Sequence, residues 1–243
     1  MTKPFKSLIR RTLLSGKQNL TSLDEPYEVI ARLLTGKSID NMLDAGASHG
    51  RVAERLARPF PKANVHMFEP NPDYVGDLQT LHNRDNRFRH WPMALADQEG
   101  EMELHFTESR GTTSLFKPNT RADDTWGQQL HVKESRAVPV VTIDGWAERE
   151  NIGPIGFMKF DIQAGELLAL RGAEKTLRDQ ALLVYTEIFF NPMYDGGALF
   201  GDIDALLRSH GFLLYNIYKP AADSRGMLLH ANPIYVHSER LGF

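Results

Sequence analysis

Asp44-Ala45-Gly46-Ala47-Ser48-His49-Gly50 is the stretch that decides how this chain is read. It follows the apolar run from Asn41 to Ala45, a strand candidate. It precedes His49 to Ala57, where Val52, Ala53 and Leu56 fall at helical spacing. A strand that turns through glycines into a helix brings backbone close to a ligand and offers the free N–H groups of the first helical turn. About 19 residues further on, Glu69 ends a second strand candidate, Val65 to Phe68, where a carboxylate can accept hydrogen bonds from both hydroxyls of a ribose. The dinucleotide fingerprint G-x-G-x-x-G needs its middle glycine so that a pyrophosphate can approach. Here that place is Ser48. The loop therefore suits a cofactor with a ribose and no pyrophosphate, which describes S-adenosylmethionine better than a nicotinamide dinucleotide.

Working outward, Pro72 to Leu81 predicts a second helix opened by its proline, and Phe88 to Pro92 a third strand. This β-α-β-α-β order is that of a doubly wound α/β domain with a mostly parallel sheet. Glu101 to Phe106 and Val138 to Ile143 read as further strands, separated by a long polar connection from Thr107 to Ala137. Gly156 to Asp161 is the next strand, and Gly165 to Asp179 one helix carrying Leu167, Leu168, Leu170 and Leu177. Leu182 to Glu187 is apolar enough for a central strand. A helix from Ala198 to Ser209 stops at Gly211, and Phe212 to Tyr218 pairs with Leu228 to His237.

With 243 residues and 42% hydrophobic content, the chain supports one large domain. It has no cysteine, which excludes disulfides, thiolate metal sites and cysteine nucleophiles. A net charge of −3 gives no broad electrostatic case for nucleic acid as a partner. No apolar run is long enough to span a bilayer and no secretory leader is evident, so the expected location is cytoplasmic. Residues 1–20 differ from the rest. Lys3, Lys6, Arg10, Arg11 and Lys17 surround Phe5, Leu8, Ile9, Leu13 and Leu14, the pattern of a helix that lies on an anionic membrane or docks on a partner. The chain is accordingly divided into a basic amphipathic segment, 1–35, and a cofactor-binding domain, 36–243.

Further motifs are L-D-A-G-A-S-H-G at 43–50, F-E-P-N-P at 68–72, M-A-L-A-D at 93–97 and V-T-I-D at 141–144. K-F-D-I-Q-A-G-E-L-L-A-L-R-G-A at 159–173 is the most specific, and T-E-I at 186–188, Tyr194 and G-F at 211–212 follow it. Together these resemble the FkbM-type methyltransferases. The resemblance implies a Rossmann-like class I methyltransferase fold, with a seven-stranded, mostly parallel sheet whose last strand is antiparallel, and methyl transfer from S-adenosylmethionine to oxygen. It implies that Asp44, Gly46 and Gly50 lie along the cofactor, that Glu69 takes the ribose, and that Met93 to Leu95 lies near the adenine. The full cofactor set expected is Asp44, Gly46, Ala47, Ser48, His49, Gly50, Glu69, Pro70, Met93, Ala94, Leu95 and Asp161. The chain departs from the family pattern at His49, more often asparagine, and at Ala164, frequently glycine.

A sulfonium already carries a good leaving group, so the protein must align an acceptor oxygen and remove its proton. Positioning can supply on the order of 7–11 kcal/mol, and a general base a further factor of about 10² to 10⁴. Ligands of an open α/β sheet bind outside the carboxyl ends of the strands, where Asp161 and Glu187 fall. Both are the catalytic candidates, Asp161 first as base, with capping of the following helix or pairing with Lys159 as its structural alternative. Both would also be ligands for magnesium, which the sequence permits without requiring. Glu166, in a first helical turn, reads as a helix-dipole residue. The nine histidines show no metal-ligand spacing and read as structural, His49 alone standing in the cofactor loop. Ser109 to Ser114 is placed to close over the site, with Arg110 and Thr113 meeting a polar acceptor, while Trp126 and Tyr194 are candidates to stack on a sugar ring. The expected activity is O-methylation of a sugar, glycan or secondary metabolite. A nicotinamide-dependent oxidoreductase is disfavoured by Ser48, and a non-catalytic binding module by the intact loop and acids.

Overall fold

The computed structural model describes residues 24–119 and 130–243. The chain runs through α1 (Pro26–Leu33), β1 (Asn41–Ala45), α2 (Arg51–Ala57), β2 (Asn64–Phe68), α3 (Val75–Arg84) and β3 (Phe88–Trp91). Next come β4 (Ala94–Leu95), β5 (Gly100–Thr107), β6 (Val132–Val141), α4 (Ile143–Arg149) and β7 (Ile155–Phe160). The remainder is α5 (Glu166–Arg171), α6 (Glu174–Asp179), β8 (Leu183–Thr186), β9 (Ile188–Phe189), α7 (Phe200–Ser209), β10 (Phe212–Ala222), β11 (Leu228–His237) and α8 (Ser238–Leu241).

Seven strands form the main sheet in the order β10-β11-β8-β7-β1-β2-β3, with the short β9 also paired to β11. Strands β3, β2, β1, β7 and β8 are mutually parallel, and β11 runs antiparallel to both β8 and β10. This is the Rossmann-like class I methyltransferase arrangement. Alternation along the strands feeds two cores. Leu43, Ala45, Met158, Phe160 and Val184 face one side, packed under α4, α5, α6 and α7 through Ile143, Trp146, Ala169, Leu170, Leu177, Ile203 and Leu207. Met42, Val65, Met67, Phe157, Leu183 and Tyr185 face the other, under α1, α2 and α3 through Val29, Ile30, Ala53, Leu56, Leu78 and Leu81. A strand buried on both faces needs this unbroken apolar sequence, and each side chain so enclosed contributes roughly 1.5–3 kcal/mol. Helix α1, within the 1–35 segment, thus packs on the core. The basic residues 1–20 and Trp126 lie outside the described residues. Among the described residues no helix is long and apolar enough to cross a membrane.

Several local readings change. Strands β5 and β6 leave the main sheet and make a separate three-stranded sheet with β4, over a small core of Ala94, Ala96, Leu104, Val138 and Val140. β6 begins at Val132, so the polar connection is shorter than the sequence suggests, and Ile143 opens helix α4 instead of closing a strand. The reason is local: the Thr142 side chain accepts the Gly145 N–H at 3.0 Å and caps the helix. Pro72 opens a 3₁₀ turn, Pro72–Tyr74, before α3 starts. The helix expected over 165–179 is two, α5 and α6. A Cβ at Gly172 would fall on the Ala96 carbonyl, so the chain bends where it meets the end of β4.

Candidate active site

β1 is the switch point of the sheet, since the chain winds outward through β2 and β3 and then returns to β7 and β8 on the other side. A cavity of about 250 Å³ opens there, outside the carboxyl ends of β1, β2 and β7. Gly46, Ser48, Glu69, Pro70 and Asp161 line its polar side, and Phe68, Met93, Ala94, Leu95, Leu104 and Leu115 its apolar side. Glu69 is only 7% exposed and tied into the loop, one oxygen accepting the Ser48 N–H and the other the Asn71 N–H, each at 2.9 Å. Burial raises its carboxyl above the ordinary range, against the lowering by those two N–H groups.

The glycines of the loop act on protein more than on ligand. Gly46 has φ +73, and a Cβ there would collide with the Asp161 backbone carbonyl. Gly50 also has φ +73, precedes α2, and a Cβ would come within 2.6 Å of Leu81. Ser48 takes a left-handed φ of +49 without being glycine. Under the loop lies Lys159, the cross-strand partner of Asp44, with its ammonium 2.8 Å from Asp44 Oδ1. It also donates to the carbonyls of Ala45 and Gly46 at 3.2 and 3.0 Å, and stands 4.0 Å from Asp161. Burial opposes the charge, yet Asp44 and Asp161 together hold the Lys159 ammonium above the ordinary lysine range.

A second cavity, of about 190 Å³, adjoins the first. Ser109, Thr112, Glu187, Phe189, Met193, Tyr194 and His230 line it, and Gly111 and Gln163 line both cavities. Gln163 is the joint between them. Its side-chain nitrogen donates to Asp161 Oδ1 at 3.1 Å and to Glu187 Oε2 at 2.6 Å, while its oxygen accepts from the Tyr194 hydroxyl at 2.8 Å. The parallel pairing of β7 with β8 brings Asp161 and Glu187 to adjacent strand ends, which sequence order alone leaves open. Burial first, and Asp161 next, push the Glu187 carboxyl well above the usual carboxylate range. Glu166, fully buried, accepts the Ile162 N–H at 2.8 Å, and burial with Glu187 nearby pushes its carboxyl up to about 8.

Eight of the twelve residues expected along the cofactor line the first cavity, and Asp44 lies beneath them. Ala47 and Gly50 stay outside it, in the packing of α2 and α3. His49, expected along the cofactor, lies outside the first cavity. It hydrogen-bonds Asp77, sets its ring edge-on to Tyr74, and faces a separate outer depression. Arg110 and Thr113 line the first cavity, Arg110 within 3.3 Å of Asp73, whereas Tyr194 lines the second. The sequence reading does not single out Gln163, Phe189 or Met193, and it takes His230 as structural with the other histidines; all four line the second cavity. Only Gln163 carried a signal, lying between Asp161 and Glu166 in the most specific motif. Gln163 and Ala164 have φ of +54 and +76, which explains why glycine suits the second of these positions. Among the described residues no group of three or more His, Cys, Asp or Glu side chains is placed to hold a metal ion.

A sequence model of the methyltransferase FkbM domain matches residues 44–214. The chain belongs to the FkbM methyltransferase family. It is 24% identical over 193 residues to the 2-O-methyltransferase NoeI of Sinorhizobium fredii, covering 76% of this chain and 78% of that protein. It is 25% identical over 198 residues to the 31-O-demethyl-FK506 methyltransferase FkbM of Streptomyces tacrolimicus, covering 71% and 72%. The crystal structure of methyltransferase FkbM from Methylobacillus flagellatus is similar in fold, with 14% identity and a TM-score of 0.51. That match covers 84% of this chain, which spans about half, 47%, of the solved one. As a member of the FkbM family the chain is an S-adenosylmethionine-dependent methyltransferase, so neither the oxidoreductase nor the non-catalytic reading stands. The first cavity fits the cofactor. Glu69 has spare acceptor capacity beyond its two backbone bonds, and the apolar wall of Met93, Leu95, Leu104 and Leu115 suits a purine.

Proposed function

We propose that this FkbM-family enzyme methylates a hydroxyl oxygen of a sugar, glycan or secondary metabolite, with S-adenosylmethionine in the first cavity and the acceptor in the second. The observation that carries the reading is the shared wall at Gly111 and Gln163, across which the two cavities meet beside Asp161 and Glu187. Both relatives named above carry O-methylation in their names. When bound, S-adenosylmethionine supplies an activated methyl group on a sulfonium. The chain's own work is orientation and proton removal. In this reading Glu69 binds the ribose and Gly46, Ser48, Pro70 and Asp161 the remainder of the cofactor's polar edge. Asp161 and Glu187 act as a pair that fixes the Gln163 amide, Asp161 on the cofactor side and Glu187 on the acceptor side. The segment Ser109 to Ser114 walls both cavities, held through Ser114 Oγ to the Gln163 carbonyl at 2.5 Å. Phe189, Met193 and Tyr194 give the acceptor cavity an apolar face suited to a sugar ring or a polyketide chain.

Calorimetry with S-adenosylmethionine tests the first cavity. Glu69→Ala is expected to weaken cofactor binding by about 1–3 kcal/mol, because ribose hydroxyls are left unpaired in a closed site. Unchanged affinity would remove Glu69 from the ribose. The acceptor side is tested by S-adenosylhomocysteine release over nucleotide sugars, methyl glycosides and polyketide alcohols. Turnover on none of them, from protein that binds the cofactor, would overturn the acceptor reading. With an acceptor in hand, Glu187→Gln is expected to lose about 10²-fold or more in turnover while keeping cofactor affinity. Asp161→Asn, whose amide oxygen still accepts the Gln163 N–H, is expected to lose less than about tenfold. The reverse ranking would make Asp161 the group that handles the proton.

A further inference from the structure

His230 stands on β11, and the antiparallel pairing of β11 with β9 sets it opposite Phe189, two residues beyond Glu187. Its Nδ1 lies 3.2 Å from Glu187 Oε1, its ring leans on Phe189 with centroids 6.1 Å apart, and its side chain faces the second cavity. The carboxylate it meets is held from the far end. Glu187 Oε2 takes the Gln163 amide at 2.6 Å, and Gln163 is in turn anchored by the Tyr194 hydroxyl and Asp161. Glu187 therefore has one oxygen committed to the wall between the cavities and the other directed at an imidazole. A histidine 3.2 Å from a carboxyl that is itself held, in a cavity beside a group-transfer site, is placed as a general base beside a positioning residue. Asp161 differs, because it lines only the cofactor side.

We propose that His230 is the general base of the methyl transfer and that Glu187 is its positioning residue. The proposal rests on the reading of the second cavity as the acceptor site. The acceptor O–H gives its proton to His230 Nε2. The oxygen lone pair forms the new O–CH₃ bond as the C–S bond of S-adenosylmethionine breaks, and the leaving electron pair stays on sulfur, giving neutral S-adenosylhomocysteine. The imidazolium formed keeps its Nδ1–H on Glu187 and returns its proton to water when product leaves. Glu187 and Asp161 are the acidic groups near His230, with Glu166 and Tyr194 behind Glu187. Burial lowers the His230 pKa, which keeps the ring neutral at physiological pH and able to accept. Burial and the neighbouring Asp161 raise the Glu187 carboxyl, and its Oε1, 3.2 Å away, is the acceptor placed for a ring proton on Nδ1. A base needs the ring proton on Nδ1 and an unprotonated Nε2.

The tautomer is therefore the decisive measurement. Nitrogen-15 spectra of the histidine rings in the full chain, bound to S-adenosylhomocysteine, are expected to show His230 neutral, protonated at Nδ1 and bare at Nε2. Glu187→Gln is expected to move the proton to Nε2. A parent ring already protonated at Nε2 would overturn the proposal, as would a tautomer indifferent to Glu187→Gln. The kinetic counterpart uses whichever nucleotide sugar, methyl glycoside or polyketide alcohol the parent methylates. His230→Asn is expected to lose about 10²- to 10⁴-fold in kcat, with cofactor affinity within about twofold and part of the rate restored by added imidazole. Turnover within a few-fold of the parent would overturn it. Failure of the parent to methylate any acceptor would count against the functional reading instead, and the tautomer would still decide the state of His230.

Discussion

Lys159→Met is expected to destabilise the fold by about 3–5 kcal/mol, the cost of stranding a buried charge when its partner is removed. The ammonium and Asp44 are both almost fully enclosed, at 3% and 1% exposure, so water cannot take over from the lost partner. The same group ties the carbonyls of Ala45 and Gly46, so its loss also loosens the start of the glycine loop. Methionine is close in volume and apolar, which separates lost charge from a lost side chain. The double variant Asp44→Asn/Lys159→Met is expected to recover most of the stability, because a neutral pair no longer carries the desolvated charge. Urea unfolding of the three proteins checks this. A single variant within about 1 kcal/mol of the parent would mean that the ion pair contributes little.

Glu166→Gln is expected to become more stable relative to the parent as pH rises. In the folded chain the Glu166 carboxyl is pushed up to about 8 from an ordinary 4.5, by burial first and Glu187 second. Between those values the native state keeps a proton that the unfolded chain has released, so the parent loses stability as pH rises through the window. The slope is about 1.4 kcal/mol for each pH unit, levelling off above the folded pKa. Glutamine keeps an oxygen to accept the Ile162 N–H and has no such slope. Glu187, raised in the same direction, is present in both proteins and largely cancels in the difference. Urea midpoints at pH 5, 6.5 and 8 read it directly, and a difference that stays flat across that range would show that Glu166 ionises at ordinary pH.

These two residues, with His230, mark where sequence reading stops. Lys159 and Glu166 both stand in the most specific motif, yet as letters one reads as the neighbour of Asp161 and the other as a helix-dipole residue. Their energetic weight comes from enclosure. Lys159 faces Asp44 because β1 and β7 pair in that register, and Glu166 meets Glu187 because β8 lies beside β7.

The sequence by itself determined the doubly wound order, the glycine loop after β1, the acid at the end of β2, and the family. Each of these is written in short-range terms: alternation along a strand, a turn residue at a fixed offset, a motif of contiguous residues. It did not determine where the short elements begin and end. The Thr142 cap and the close approach of Gly172 to Ala96 depend on a neighbour that periodicity does not register. It did not determine the outward turn of His49, which follows from the hydrogen bond to Asp77 on α3. Least of all did it determine the second cavity. Ser109, Gln163, Glu187, Tyr194 and His230 come from separate stretches, and the antiparallel return of β11 beside β8 and β9 brings His230 up to Glu187. Pairing between distant strands is selected by the whole core, and so the tertiary structure alone decided which histidine lines the second cavity.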